Sequence, residues 1–450
     1  MTNGLYSSNQ PVSTDLSARL LQLQEPPITQ VTTLGWLIFA VGVLYYCFAY
    51  LLRVYPSVME LDLRSYFHIT ASEFGLLTSF YYFAYAPMQL PVGVSVDRIG
   101  PRKSLIVACI ISTFGVFLFA YFDHIAFSLL GRFLVGFGAA FAYVTALKLT
   151  ATWLPRKYFA TATGMVTGCG MVSAIMTDMY LTHLIESSGF KHALYFPLLT
   201  GLFVLCFIFL IVRDKPKKIS STPTICEEEA SALSYQQLAH YLKTIIRNPQ
   251  MWLIGSVGAL LYLPASVFLD VWAIPYLRNV YHLTPQAAAL GVSLMLGGWI
   301  CSSFTSCALS DLLGTRKKPL MISSFIGIFI SAALIFATSM PTYLLYSLLF
   351  VFGLCCGPHP LCFTLSKENN AHAISGTAVS FANFVIMMGG FIFQPTVGKI
   401  LDWLWEGDMI NGIRSYSAHD YRLALSILPI GLAIATVCTL LIKETYGAQK

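Results

Sequence analysis

The chain has 450 residues, of which 56% are hydrophobic and only 11% charged, and its mean hydropathy is +0.68. Soluble globular proteins carry about 25% charged residues, so a water-soluble enzyme, a disordered chain and a nucleic-acid binder are excluded and a polytopic membrane protein remains. The net charge of +6 is the kind that Lys and Arg gathered in inside loops produce.

Residues 1–32 form a polar tail with Pro26 and Pro27 and no apolar stretch of the kind a cleavable signal needs. Twelve apolar runs follow, at about 33–60, 71–96, 103–122, 125–153, 157–183, 191–212, 249–278, 284–309, 317–338, 341–366, 371–403 and 419–442. Each approaches or exceeds the roughly 20 residues a helix needs to cross the hydrocarbon core. Helices are expected because lipid offers no partner to a free backbone N–H or C=O, and the run lengths exclude an outer-membrane barrel. The fold class is therefore an all-α membrane protein of twelve transmembrane helices.

The long interruption at 213–248 opens on Arg213, Asp214, Lys215, Pro216, Lys217 and Lys218 and carries Glu227, Glu228 and Glu229. From about Ser231 to Arg247, the residues Leu233, Leu238, Tyr241, Leu242 and Ile245 recur near helical spacing and predict an amphipathic surface helix. The expected division is a tail over 1–32, a six-helix bundle over 33–212, a linker over 213–248, a second bundle over 249–443 and a tail over 444–450.

Basic residues set the expected topology. With the amino terminus in the cytoplasm, 18 of the 27 Lys and Arg fall on the inside: Arg19, the groups at 98–103, 156–157, 213–247 and 316–318, Lys367, Lys443 and Lys450. Six fall outside (Arg64, Lys191, Arg278, Lys399, Arg414 and Arg422), and Arg53, Arg132 and Lys148 lie within spans. This asymmetry predicts both termini in the cytoplasm.

An internal repeat supports duplication. Gly93, Asp97, Arg98, Gly100, Arg102 and Lys103 follow span 2, and Asp311, Gly314, Arg316 and Lys317 follow span 8. Asp, Gly, Arg and Lys align at a constant offset of 214 positions. Two like halves around a central site are the architecture of many secondary transporters. The 11 cysteines show no metal-ligand spacing and read as packing residues. There is no phosphate-binding Gly-x-x-x-x-Gly-Lys-Ser/Thr, His-Glu-x-x-His or Gly-x-Ser-x-Gly, so no cofactor, no metal and no enzymatic activity are expected.

Ionisable residues deep in spans each need a reason, because burying one costs about 2.5–3.5 kcal/mol on insertion scales. Arg53 in span 1 suits bidentate recognition of a carboxylate or phosphate; pairing with Asp270 of span 7 and snorkelling are the alternatives. Tyr81, Tyr82, Tyr85 and Gln89 give span 2 a polar-aromatic stripe, either interhelix packing or the lining of a solute path. Arg132 of span 4 and Asp178 of span 5 reach similar depth, as a fixed ion pair or as one that switches with proton or solute. Lys148 either snorkels to the inner interface or lines an inner cavity. Asp270 is suited to proton or solute-amine work, unless it faces a solvated vestibule or pairs with Arg278. His359 stands between Pro358 and Pro360, where span 10 must break, as a packing residue or a proton carrier. Gly164, Gly168 and Gly170 permit close packing of span 5.

The loop at Gly93, Asp97, Arg98, Gly100, Arg102 and Lys103, together with Arg132 and Gly136 in span 4, resembles the signatures of the major facilitator superfamily, and the resemblance runs from span 1 to span 12. Leu52–Met59, Phe80–Tyr85, Gln89–Gly93, Leu147–Leu149 and Trp272–Leu277 resemble a bacterial branch of nutrient importers associated with amino-acid or nucleoside uptake, with lysosomal dipeptide transporters as a more distant likeness. Span 5 lacks the Gly-Pro motif of the drug/proton antiporters, which argues against drug export. The resemblance implies two pseudo-symmetric six-helix bundles, and it places Asp97 by the amino end of span 11, where a helix terminus favours an anion. Arg98, Arg102 and Lys103 would tie neighbouring helix ends and close the cytoplasmic side.

The expected function is alternating-access, proton-coupled uptake of a small polar or zwitterionic nutrient. A dipeptide uniporter, an exporter of a small organic chelator and a solute-sensing transceptor are the alternatives. The expected partners are a small-molecule substrate, protons and membrane lipid, with no nucleic acid, in a monomer of the bacterial inner membrane.

Overall fold

In the computed structural model, residues 32–155, 158–214, 235–337, 339–371, 374–410 and 412–446 are described. The tail ends, Arg156, Lys157 and the linker stretch 215–234 with Leu233 lie outside them.

Twelve helical spans run in chain order. Spans 1 to 6 are Thr33–Val58, Ala71–Met88 continued by Val92–Ile99, Pro101–Tyr121, Ile125–Trp153, Phe159–Ser188 and Phe190–Ile211. Spans 7 and 8 are Pro249–Val280 and Pro285–Leu313, and span 9 is Lys317–Phe336. Span 10 is Thr342–Cys356 with Leu361–Glu368, span 11 is Ser375–Leu404, and span 12 is Ala418–Leu425 with Ile427–Leu441. A short helix, Glu60–Phe67, extends span 1 beyond Met59. Among the described residues, ten helices are long and apolar enough to cross a membrane by length and composition. Spans 2 and 5 are not among the ten. Span 2 breaks after Met88 and carries Glu73 and three tyrosines, and span 5 carries Asp178.

Local sequence sets the ends and breaks. Thr70 and Glu73 form a reciprocal capping box at the start of span 2, with Glu73 Oε2 accepting the Thr70 N–H at 2.8 Å. Pro264 opens a π-helical stretch, Pro264–Trp272, inside span 7; such bulges turn side chains off the regular register and concentrate at functional sites. Pro358 and Pro360 leave residues 357–360 as a turn in span 10. The expected linker helix is present as Tyr235–Ile246, with Leu238 and Ile245 buried and Leu242 packed against Met251, Ala378 and Phe381.

The packing repeats. Span 1 pairs with span 5 as span 7 pairs with span 11. The pairs 2–4, 3–4 and 3–6 recur as 8–10, 9–10 and 9–12. The halves meet along spans 2 and 11 and along spans 5 and 8, and each of those seams is the other's image under the repeat. The two spans that fall short on apolarity thus both lie on the seam. A glycine permits the tightest approach in each half. A Cβ on Gly136 would come within 2.0 Å of the Tyr81 carbonyl oxygen, and one on Gly353 within 1.9 Å of that of Met295. These are spans 4 on 2 and 10 on 8, again equivalent. The molecule is an all-α bundle of two pseudo-symmetric six-helix halves.

Candidate functional site

Arg53, buried to 7% exposure, is the centre of the polar interior. Its Nη1 donates to Tyr262 Oη at 3.2 Å, its Nη2 lies 3.8 Å from Met387 Sδ, and its Nε lies 3.8 Å from Asp270 Oδ2. The guanidinium stands 5.4–5.5 Å from the ring centres of Tyr50, Tyr81, Tyr82 and Tyr85. Cation–π contacts of this kind contribute about 2 kcal/mol when desolvated. The Tyr82 hydroxyl donates to Asp270 Oδ2. Arg53 and Tyr82 belong to the first half, and Asp270, Tyr262 and Met387 to the second. The π-helical stretch of span 7 carries Asp270 into this seam. Nearer the end where span 1 begins and span 12 ends, Asn383 Nδ2 of span 11 donates to Gln89 Oε1 of span 2 at 2.9 Å.

Arg132 and Asp178 are not brought together. Arg132 donates to the backbone oxygens of Leu52 at 2.6 Å and Thr78 at 3.4 Å, and its guanidinium lies over the rings of Tyr55 and Tyr81. It ties span 4 to spans 1 and 2. Asp178 is 1% exposed, and its Oδ1 has no hydrogen-bond partner among the described residues. Equal depth on consecutive helices does not give a shared face, because each residue turns about 100° around the axis.

His359 lies in the broken part of span 10, 8% exposed, with its ring against Tyr262, Trp299 and Phe363. Tyr262, Trp299 and Tyr50 went unmarked in the sequence reading. An aromatic in an apolar helix carries no signal of which side it faces, and only Tyr262's place on the same span as Asp270 could have drawn notice.

At the end where span 1 begins and span 12 ends, Lys148 Nζ meets Asp97 Oδ1 at 2.9 Å, both partly exposed. Asp97 is thus paired with span 4 of its own half, where the resemblance had implied the amino end of span 11. Gly100 and Gly314, the repeated glycines, have φ of +89° and +61°, a conformation that favours glycine. Gly93 faces open space, and Arg98 and Lys103 are exposed. The Arg102 N–H donates to Asp214 Oδ1 at 2.9 Å. In the second half the N–H groups of Arg316 and Lys317 donate to Glu444 at 3.0 and 2.9 Å, while the Arg316 side chain bridges Asp311 and Glu368. An acid just past the last span of each half therefore caps the first turn of that half's third span. Burial raises the Glu444 carboxyl, but the N–H groups of Lys317, Arg316, Thr445 and Tyr446 outweigh it and hold the group below its ordinary value.

At the opposite end the halves are joined. Asp402, at the end of span 11, accepts the Ser72 N–H at 2.8 Å, the Tyr416 hydroxyl at 2.5 Å and Arg414 Nη1 at 3.3 Å. The Ala71 N–H donates to Tyr416 Oη at 3.1 Å, and Arg64 Nη2 to the Arg414 carbonyl at 2.7 Å. Arg414 closes a small hairpin that pairs Met409 with Arg414 and Ile410 with Ile413. A cavity of about 270 Å³ lies here, lined by Asp62, Arg64, Ser65, Asn279 and Arg414 among others.

Residues 33–394 match the Major Facilitator Superfamily. The chain is 26% identical over 270 residues to the uncharacterized transporter YybO of Bacillus subtilis, covering 56% of this chain and 61% of that protein. It is 25% identical over 304 residues to the probable sulfoacetate transporter SauU of Cupriavidus necator, covering 66% and 70%. A crystal structure of a bacterial homolog to the human lysosomal transporter Spinster, inward-facing and unoccupied, matches with a TM-score of 0.75 at 15% identity over 92% of this chain and 98% of that one. The repeated helix pairings, the loop signatures and the family match lead to one assignment: the chain is a multi-pass membrane protein that belongs to the major facilitator superfamily of transporters.

Proposed function

We propose that the protein is a proton-coupled carrier that takes up a small polar solute bearing an acid group, an organic anion or zwitterion, by alternating access. Residues 33–212 and 249–443 rock as two units about the 213–248 linker, with both termini in the cytoplasm of a bacterial cell. One observation carries the reading. Arg53 of the first half and Asp270 of the second form a loose ion pair, 3.8 Å apart, inside a box of tyrosines on the seam. A guanidinium so placed is a ready partner for a solute carboxylate. A solute anion that takes Arg53 deprives Asp270 of its counter-charge, and two anions cannot share one buried cation at no cost. A proton arriving on Asp270 restores the balance. One anion and one proton then move together, and net charge in the cavity is unchanged.

The similarity to SauU, a probable sulfoacetate transporter, supports the acid-bearing class. The 18-to-6 division of basic residues supports the orientation.

The experiment is uptake into proteoliposomes with a proton gradient imposed or collapsed. Accumulation against a gradient is expected only with the proton gradient present. Asp270→Asn is expected to abolish accumulation while solute-for-solute exchange continues. Accumulation that survives an uncoupler, or Asp270→Asn that still concentrates solute, would overturn the coupling. Flux in either mode separates a carrier from a solute sensor.

A further inference from the structure

Three rings of the second half meet beside Arg53. Tyr262 and His359 lie 5.1 Å apart between ring centres, Tyr262 and Trp299 5.6 Å, and Trp299 and His359 5.8 Å. They come from spans 7, 8 and 10, and Tyr262 is the residue that receives the Arg53 Nη1 donor. Two nitrogens in this cluster, Trp299 Nε1 and His359 Nδ1, are buried with no hydrogen-bond partner among the described residues. Buried polar atoms are nearly always paired, and each exception asks for an explanation. An indole N–H can only donate, and a neutral imidazole offers one donor and one acceptor. Packing alone would have been served by Phe at either position, with no orphaned nitrogen. The helix break that exposes His359 to this cluster, with Pro358 and Pro360 on either side, is a further irregularity aimed at the same place.

Resting on the reading of Arg53 as the anion contact, we propose that Tyr262, Trp299 and His359 form a second subsite that takes a planar ring carrying a hydrogen-bond acceptor, so that the solute is a small heteroaromatic or carbonyl-bearing cyclic acid. The acid group binds Arg53, the ring lies against the aromatic cluster, and a ring nitrogen or carbonyl accepts from Trp299. Stacking on aromatic faces tolerates many rings, while the buried donor rejects a ring without an acceptor.

Three acids of nearly one size test this on the purified full chain: nicotinate, benzoate and cyclohexanecarboxylate, compared by thermal stabilisation and by competition for uptake. Nicotinate is expected to bind about tenfold more tightly than benzoate, or about 1.4 kcal/mol, and benzoate more tightly than the saturated acid. Trp299→Phe keeps the ring and removes the N–H, and is expected to bring nicotinate to the level of benzoate. Equal midpoints for nicotinate and cyclohexanecarboxylate overturn the subsite; if Arg53→Lys then weakens both, the anion contact stands without it. Failure of all three acids, or midpoints indifferent to Arg53→Lys, overturns the anion contact and the subsite together. Should Trp299→Phe fail to fold, the three-acid series on the unaltered chain decides.

Discussion

Two arginines lie deep in the first half, and their partners differ in kind. Arg132 donates to two backbone oxygens, of Leu52 and Thr78, on two different helices. Among the described residues Arg53 contacts side chains alone, and across the seam it lies 3.2 Å from Tyr262 Oη and 3.8 Å from Met387 Sδ and Asp270 Oδ2. Lysine cannot reproduce a planar fork. Arg132→Lys is therefore expected to lower the melting temperature, with uptake falling only as folded protein falls and KM unchanged. Arg53→Lys is expected to leave melting nearly unchanged and to raise KM at least about tenfold, the cost of a lost bidentate charge-assisted contact. Measuring both melting and KM for both variants checks the division; a KM effect at Arg132 would end it. The sequence marked both residues by the expense of burying them, and the Arg53–Asp270 pairing was open to it as an alternative. It could not tell Arg132's backbone partners from Asp178, because depth is read by counting and azimuth is not.

The elements show how much of the fold patterning alone conveys. Twelve runs, the linker helix and the span 10 break were legible, since apolar length and proline act locally. The π-helical stretch of span 7 was not, because its register depends on what the neighbouring helices leave room for. The caps on the third span of each half were not legible either: Asp214 and Glu444 reach residues more than 100 positions away. Glu444 supplies a pH test. Its carboxyl is held below the ordinary glutamate value of 4.5, so its stabilising contribution is complete above that value and is lost as pH falls through the folded-state value. Glu444→Gln is expected to melt earlier than the parent at pH 7, with the difference closing as the pH drops below 4.5; a constant difference across that window would remove the cap. Gly136 supplies a packing test. A methyl group 2.0 Å from the Tyr81 carbonyl oxygen must push span 4 off span 2, and overpacking of this kind costs about 1–3 kcal/mol or more. Gly136→Ala is expected to lower the melting temperature by several degrees, whereas Gly93→Ala, which meets nothing, is expected to leave it unchanged.

At the scale of the whole molecule, spans 2 and 11 run antiparallel across the seam, and each carries an aspartate near its own end. Asp402 ends span 11 and accepts the Ser72 N–H in the first turn of span 2. Asp97 ends span 2, and its mirror-image partner would be the first turn of span 11, at Ser375. Here it is held by Lys148 instead. One end of the seam is thus latched by a carboxylate on a helix amino terminus while the corresponding carboxylate at the other end is engaged within its own half. Under the alternating access proposed above these two engagements exchange, because both latches closed would seal the cavity and both open would leave it unsealed. Asp402→Ala removes a charge-assisted acceptor from Ser72, Tyr416 and Arg414 together. A loss of about 1.5–3 kcal/mol would move a two-state equilibrium roughly tenfold or more toward opening at that end. A cysteine placed at Ser65, which lines the cavity there, is then expected to react at least about tenfold faster with a membrane-impermeant maleimide than in the parent. Asp97→Asn acts on the opposite latch and is expected to slow that reaction while cutting uptake and leaving expression intact. Labelling at Ser65 that ignores Asp402 would mean the two aspartates are not counterparts, and that the closed end owes its closure to packing alone.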